Sequence, residues 1–215
     1  MAFSAFNGVL VFLILKQLAQ RKWINLSENG MFWLVAVFLF GTPHLWVGIN
    51  GGAWFVSQIL TVMFLAIAIY AALRVSSPWV IGLLIAGSVL ARPNSLMTWP
   101  FVFAITMQIF KETQGRVDLK QAFLWSIKTI VPIVIAIVGL LVYNYLRFEN
   151  FTDFGYLAIN GDQEIVQNAK TYGLFSPHFV STNLQVMLFK MPRIHWGTPW
   201  PIIPKGAQWP INPTT

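Results

Sequence analysis

Arg92 is the residue in this chain best suited to chemistry. It stands in the run Leu90-Ala91-Arg92-Pro93-Asn94, between two apolar stretches. Its guanidinium is a planar fork of donors that matches a phosphate, and an ionisable residue among membrane helices is by default a functional hypothesis. The plainer reading is an anchor among lipid headgroups. A second group runs through Asn144-Tyr145-Leu146-Arg147-Phe148 and on to Asp153-Phe154-Gly155-Tyr156. It combines a cation, two acids (Glu149 and Asp153), a glycine turn and aromatic rings. Its plainer reading is a helix exit dressed with an aromatic belt. The candidate substrate-binding residues are therefore Arg92, Arg147, Asp153 and Tyr156.

A third group joins His44, in Gly41-Thr42-Pro43-His44-Leu45-Trp46, to Gly51-Gly52-Ala53-Trp54 in one loop. Its indoles can stack on a sugar face, and the blander reading is an interfacial tryptophan pair. His178 and His195 have no partner in sequence, and Trp196, Trp200 and Trp209 suit a lipid surface. Asn150-Phe151-Thr152 fits a glycosylation acceptor pattern that is too common to carry weight. No glycine-rich phosphate loop, metal-spaced His/Cys cluster or nucleophile elbow is present. No cofactor is identified, and a divalent metal has no support in the sequence.

The elements that must position these groups are apolar. Six stretches, Phe3–Leu15, Met31–Val47, Trp54–Leu73, Trp79–Ala91, Leu96–Phe110 and Phe123–Tyr145, are separated by short polar breaks. A bilayer core of about 30 Å needs roughly 20 apolar residues in a helix. The third and sixth stretches meet that length, the second fits with its flanks, and the first is short. Composition agrees: 56% hydrophobic, 10% charged, mean hydropathy +0.64, ten Trp and eighteen Phe. These values lie outside the soluble range. The net charge of +7 does not point to nucleic acid, because no basic cluster interleaved with aromatics lies on a soluble segment. With no cysteine, redox gives no compartment and no disulfide is available. The start MAFSAFNGVL lacks the basic region and cleavage site of a signal peptide.

The breaks alternate in charge. Lys16, Arg21 and Lys22 follow the first stretch, Arg74 the third, and Lys111, Arg116 and Lys120 the fifth, whereas the intervening breaks hold His44 or Arg92 alone. Basic loops favour the cytoplasm, so the expected fold is an all-α, polytopic transmembrane bundle of about six spans with the N-terminus outside. Lys128 can snorkel back to the cytoplasmic face. The fourth and fifth stretches, joined by ARPNS, read as two thin spans or as one re-entrant hairpin. Pro93 should end the fourth helix at Arg92. Residues 1–147 form the transmembrane region and 148–215 a small, irregular external tail. Within the tail, Gln163–Ala169 can start a helix, Asn183–Lys190 is a short amphipathic candidate, and proline forbids regular structure from Pro192 on. The short first stretch and the Pro/Trp-rich end give the expectation of a fragment of a larger protein.

The ARPN break and the run YNYLRFENFTDFGY resemble landmarks of the polytopic C-type glycosyltransferases, a superfamily that includes protein O-mannosyltransferases and lipid A aminoarabinose transferases. Asn144, Tyr145, Arg147, Phe148, Gly155 and Tyr156 match an Asn-Tyr-x-Arg-Phe-Gly run followed by Gly-Tyr, with Glu149 in place of the usual glycine. The resemblance covers roughly residues 3–156 and its motifs are short. It implies an inverting enzyme of a bacterial or archaeal cytoplasmic membrane that moves a sugar from a polyprenyl-phosphate carrier to an acceptor on the external side. It further implies an acidic general base in the first external loop, upstream of this chain, and cations that hold the departing lipid phosphate. Arg92 is the first candidate for that phosphate and Arg147 the second. The expected partners are membrane lipids and the lipid-linked sugar. The competing expectations are a transporter or permease component, whose broken helices also suit an anion, and an assembly subunit with no substrate.

Overall fold

The computed structural model describes residues 2–151, 154–155, 163–173 and 176–189, all helix, turn or irregular chain with no strand among them. Seven helices fill the first part of the chain: α1 (Ala2–Gln20), α2 (Glu28–Phe40), α3 (His44–Ile49), α4 (Ala53–Leu73), α5 (Pro78–Ala91), α6 (Trp99–Gln114) and α7 (Leu119–Phe148), with a 3-10 turn over Pro93–Thr98. Two shorter helices follow, α8 (Gln163–Tyr172) and α9 (Val180–Phe189). Three of these, α1, α4 and α7, are long and apolar enough to cross a membrane, and α2 and α5 are shorter apolar helices. The chain divides into two compact units, residues 1–143 and 144–215.

Two apolar stretches take a different form from their sequence pattern. The first is a helix of 19 residues, because Lys16-Gln17 are good helix formers and the backbone carries on through them. The second is not one helix over Met31–Val47. α2 stops at Phe40, Gly41 caps it by donating to Val37 O at 2.8 Å, and α3 starts at His44. Pro43 has no N–H and disfavours a helical residue before it, so hydrophobicity continues across the break while the helix does not.

Polar contacts show that α1, α4 and α6 finish at one end of the first unit, where α5 and α7 begin. At one end the Arg21 guanidinium, just past α1, donates from Nε (3.0 Å) and Nη2 to Leu73 O at the end of α4. There also Trp23 Nε1 donates to Glu112 Oε1 in the last turns of α6, at 2.7 Å. A groove at this end is lined by Pro78 of α5, Phe110 of α6, and Asp118, Lys120, Trp125 and Lys128 around α7. At the opposite end His44 Nε2 meets Ser4 O at 3.2 Å and Arg92 reaches Trp54. The basic breaks predicted to share a face thus share an end.

The core lies where α4, α5, α6 and α7 meet: Ala68, Ala71, Ala72, Ile81, Ile85, Val89, Val102, Ile109, Trp125 and Ile133 are buried together. Small residues permit this closeness. A Cβ added at Gly82 would lie 2.5 Å from Thr129 O, so the backbones of α5 and α7 touch there. Outward-facing positions are apolar too. Phe32, Trp33, Val37, Leu83, Phe123, Ile135 and Val138 are all exposed, a surface suited to hydrocarbon rather than water. In the second unit, Tyr172 and His178 stack at 4.2 Å between ring centroids, with Phe179 edge-on to both. The Gln163 helix forms as the sequence suggests, α9 begins at Val180 rather than Asn183, and Pro192 onward lies outside the described residues.

Candidate anion site at a helix break

Pro93 shapes this site. The residue before a proline is pushed out of the helical region, and Arg92 is extended, with φ −151° and ψ 110°. Its N–H still closes the last turn of α5 on Ser88 O at 2.8 Å, and its carbonyl accepts from Ser95 N–H at 3.0 Å to begin the 3-10 turn. The Ser88 and Ser95 hydroxyls meet at 2.9 Å in a buried contact, so the chain doubles back on α5 directly after Arg92. α5 has 14 residues, the turn 6 and α6 16. At roughly 1.5 and 2.0 Å per residue, α5 is about 21 Å long and the returning limb about 36 Å.

The reversal brings the Arg92 side chain to the first turns of α4. Its Cζ lies 4.8 Å from the centre of the Trp54 ring, a cation–π stack. Its Nη2 donates to Trp54 O at 3.4 Å. The Gln58 amide stands beside two donors, which assigns its oxygen to that side. It accepts from Trp54 Nε1 at 2.8 Å and from Arg92 Nη2 at 3.0 Å. Arg92 Nε is buried and has no hydrogen-bond partner. A buried guanidinium N–H without an acceptor is costly, and an oxyanion is the acceptor that suits it best. What this arrangement can do is hold a phosphate or carboxylate oxygen at the end of the bundle.

The other candidates belong to the second part of the chain. Arg147 lies in the last turn of α7, in the second unit, exposed and with its Cζ 5.1 Å from the Phe148 ring centre. Asp153 and Tyr156 lie outside the described residues. Around Arg147, Asn144 is buried and donates to Phe151 O at 3.3 Å, and Tyr145 stacks on Phe151 at 4.6 Å. Glu149 has φ +54° and donates its N–H to Tyr145 O at 2.9 Å. That bond and the left-handed residue are the helix stop that glycine favours. The departure of Glu149 from the motif therefore falls on a position with a backbone reason for glycine.

His44 opens a helix, α3, within the break that the sequence reads as one loop. It is buried, rests against Phe38 at 4.6 Å and ties α3 to the start of α1. Of the two tryptophans, both exposed, Trp54 lies under Arg92 and Trp46 packs edge-on to Phe55 at 4.8 Å. Sequence reasoning missed Gln58, although its position one helical turn after Trp54 puts both on one face of α4. It also missed Asn7, fully buried, whose Nδ2 donates to Ile59 O at 3.2 Å while its Oδ1 has no partner. Among the described residues no cluster of His, Cys, Asp and Glu could hold a metal ion. No family model, curated protein or solved structure matches this chain.

Proposed function

We propose that this protein is a membrane glycosyltransferase that takes a sugar from a polyprenyl-phosphate carrier, with Arg92 holding the carrier phosphate on the external side. The single observation that carries the reading is the Arg92 guanidinium, stacked and hydrogen-bonded through Nη2 while its buried Nε–H has no acceptor. Holding the departing phosphate stabilises the leaving group as the glycosidic bond breaks. The sugar chemistry comes from the resemblance of the ARPN and YNYLRFENFTDFGY runs. No general base is assigned within residues 2–143, since Glu28, Glu112 and Asp118 belong to the breaks of the basic end.

The proposed topology has six spans, α2 and α5 among them, with the basic end in the cytoplasm. Single cysteines at positions 21, 51, 116 and 168 of this cysteine-free chain test it. An impermeant thiol reagent should label 51 and 168 from outside intact cells, and labelling of 116 would reverse the orientation. The functional test is donor binding. Arg92→Ala should weaken binding of a polyprenyl-phosphate sugar about ten- to a hundredfold, the equivalent of roughly 1.5–3 kcal/mol for a charged hydrogen bond. Arg92→Lys should recover part of this, since an ammonium keeps charge but loses the fork. Unchanged donor affinity in folded Arg92→Ala protein would reduce Arg92 to a headgroup anchor. The reversal at Arg92 also suits an anion carrier, and anion flux into proteoliposomes without glycosyl transfer would favour that reading.

A further inference from the structure

We propose that Gln58 is a positioning residue, fixing the plane of the Arg92 guanidinium so that Nε and Nη1 are left for an oxyanion, the phosphate of an isoprenoid phosphate. The inference rests on the reading of Arg92 as a phosphate ligand. Nη2 has two acceptors, Trp54 O at 3.4 Å and the Gln58 oxygen at 3.0 Å. Nε has none, and Nη1 has no protein acceptor among the described residues. A flexible arginine stem otherwise leaves the fork free to turn about its last bonds.

Gln58 removes that freedom from two sides. The same oxygen that receives Nη2 also receives the Trp54 indole N–H at 2.8 Å, so the ring beneath the guanidinium and the guanidinium itself share one acceptor. Trp54 and Gln58 are successive turns of α4, a rigid platform for the pair. The neutrality of the amide matters equally. A carboxylate at position 58 would form an ion pair with Arg92 and compete with an incoming phosphate. An apolar residue would take one acceptor away from both Nη2–H and the indole N–H. Only a neutral acceptor of this length holds the arginine without neutralising it.

The test uses the full chain in detergent with 15N-labelled tryptophan and farnesyl phosphate as the probe, with farnesol as the uncharged control. The Trp54 indole signal is identified by its loss in Trp54→Phe. Gln58→Leu should shift that signal and weaken farnesyl phosphate about tenfold, as expected for one lost charge-assisted contact, with farnesol binding unchanged. Gln58→Glu should leave the indole bonded yet weaken farnesyl phosphate by at least as much, a result that a merely structural glutamine would not give. If the wild type binds farnesyl phosphate and both variants bind it equally well, Gln58 only packs and the inference fails alone. If the wild type binds farnesyl phosphate no better than farnesol, the phosphate reading of Arg92 fails and takes this inference with it.

Discussion

Two half-buried arginines, Arg21 and Arg92, mark opposite ends of the first unit and use their donors differently. Arg21 directs Nε and Nη2 at one carbonyl, Leu73 O, where the last turn of α4 leaves acceptors without helical partners. Its charge also opposes the negative end of that helix dipole. The breaks at its end also carry Lys16, Lys22, Arg74, Lys111, Arg116 and Lys120. Arg92 is the one cation in the break at its own end, and it rests on a ring and an amide with Nε left over. Under the proposed function, the difference separates a structural arginine from a phosphate ligand.

That comparison breaks most sharply if the two substitutions behave alike. Arg21→Ala should lower unfolding stability by about 1.5–3 kcal/mol, the range for hydrogen bonds to a charged group, and leave donor affinity within twofold. Arg92→Ala should do the reverse: a large loss of affinity with a smaller loss of stability, since removing the arginine also removes its unpaired Nε–H. Denaturant unfolding in mild detergent, run beside donor titration, reads both. Equal loss of stability in the two variants would make Arg92 a structural residue.

A smaller effect sharpens the contrast at the helix ends. Lys22, Val75 and Glu149 each hold a positive φ, of 62°, 53° and 54°. Trp23 N–H bonds Leu18 O and Ser76 N–H bonds Ala71 O, the 6→1 closures of helices that stop on a left-handed residue. Val75, branched at Cβ, is the most strained of the three. Val75→Gly should raise stability by about 0.5–1 kcal/mol, the left-handed strain less the extra chain entropy of glycine. Glu149→Gly should gain a comparable amount or less where α7 stops. A loss of stability on Val75→Gly, followed by thermal unfolding, would mean that the exposed valine packs against lipid strongly enough to outweigh its backbone.

Much of this was legible in the residues, and the illegible part has a physical cause. Apolar length predicted the helices around Trp54–Leu73 and Phe123–Tyr145, Pro93 predicted the end of α5, and loop charge predicted which breaks share an end. A helix that is apolar on every side, however, gives no periodicity to show which face packs inward. Small residues such as Ala68, Ala72, Gly82 and Ala86 marked the packed face better than large ones. The stop at Phe40 was hidden because Leu45, Trp46 and Val47 keep the pattern apolar past Pro43. The Gln58–Arg92 contact joins residues on different helices, and nothing local announces it. Glu149 concealed the left-handed end of α7 for the opposite reason: the residue type argues against the conformation it adopts.

Under the proposed function, Arg92 Nε–H receives an oxyanion, whereas Arg21 Nε–H is already engaged by Leu73 O. Arginine side-chain 15N–1H spectra of the full chain, recorded while farnesyl phosphate is added, test this directly. The Arg92 Nε–H signal, identified by its loss in Arg92→Lys, should shift downfield and exchange more slowly with water as the ligand saturates. The Arg21 Nε–H signal should stay where it is. An Arg92 signal that does not move at saturating farnesyl phosphate, or one that moves no more than Arg21, would contradict the account.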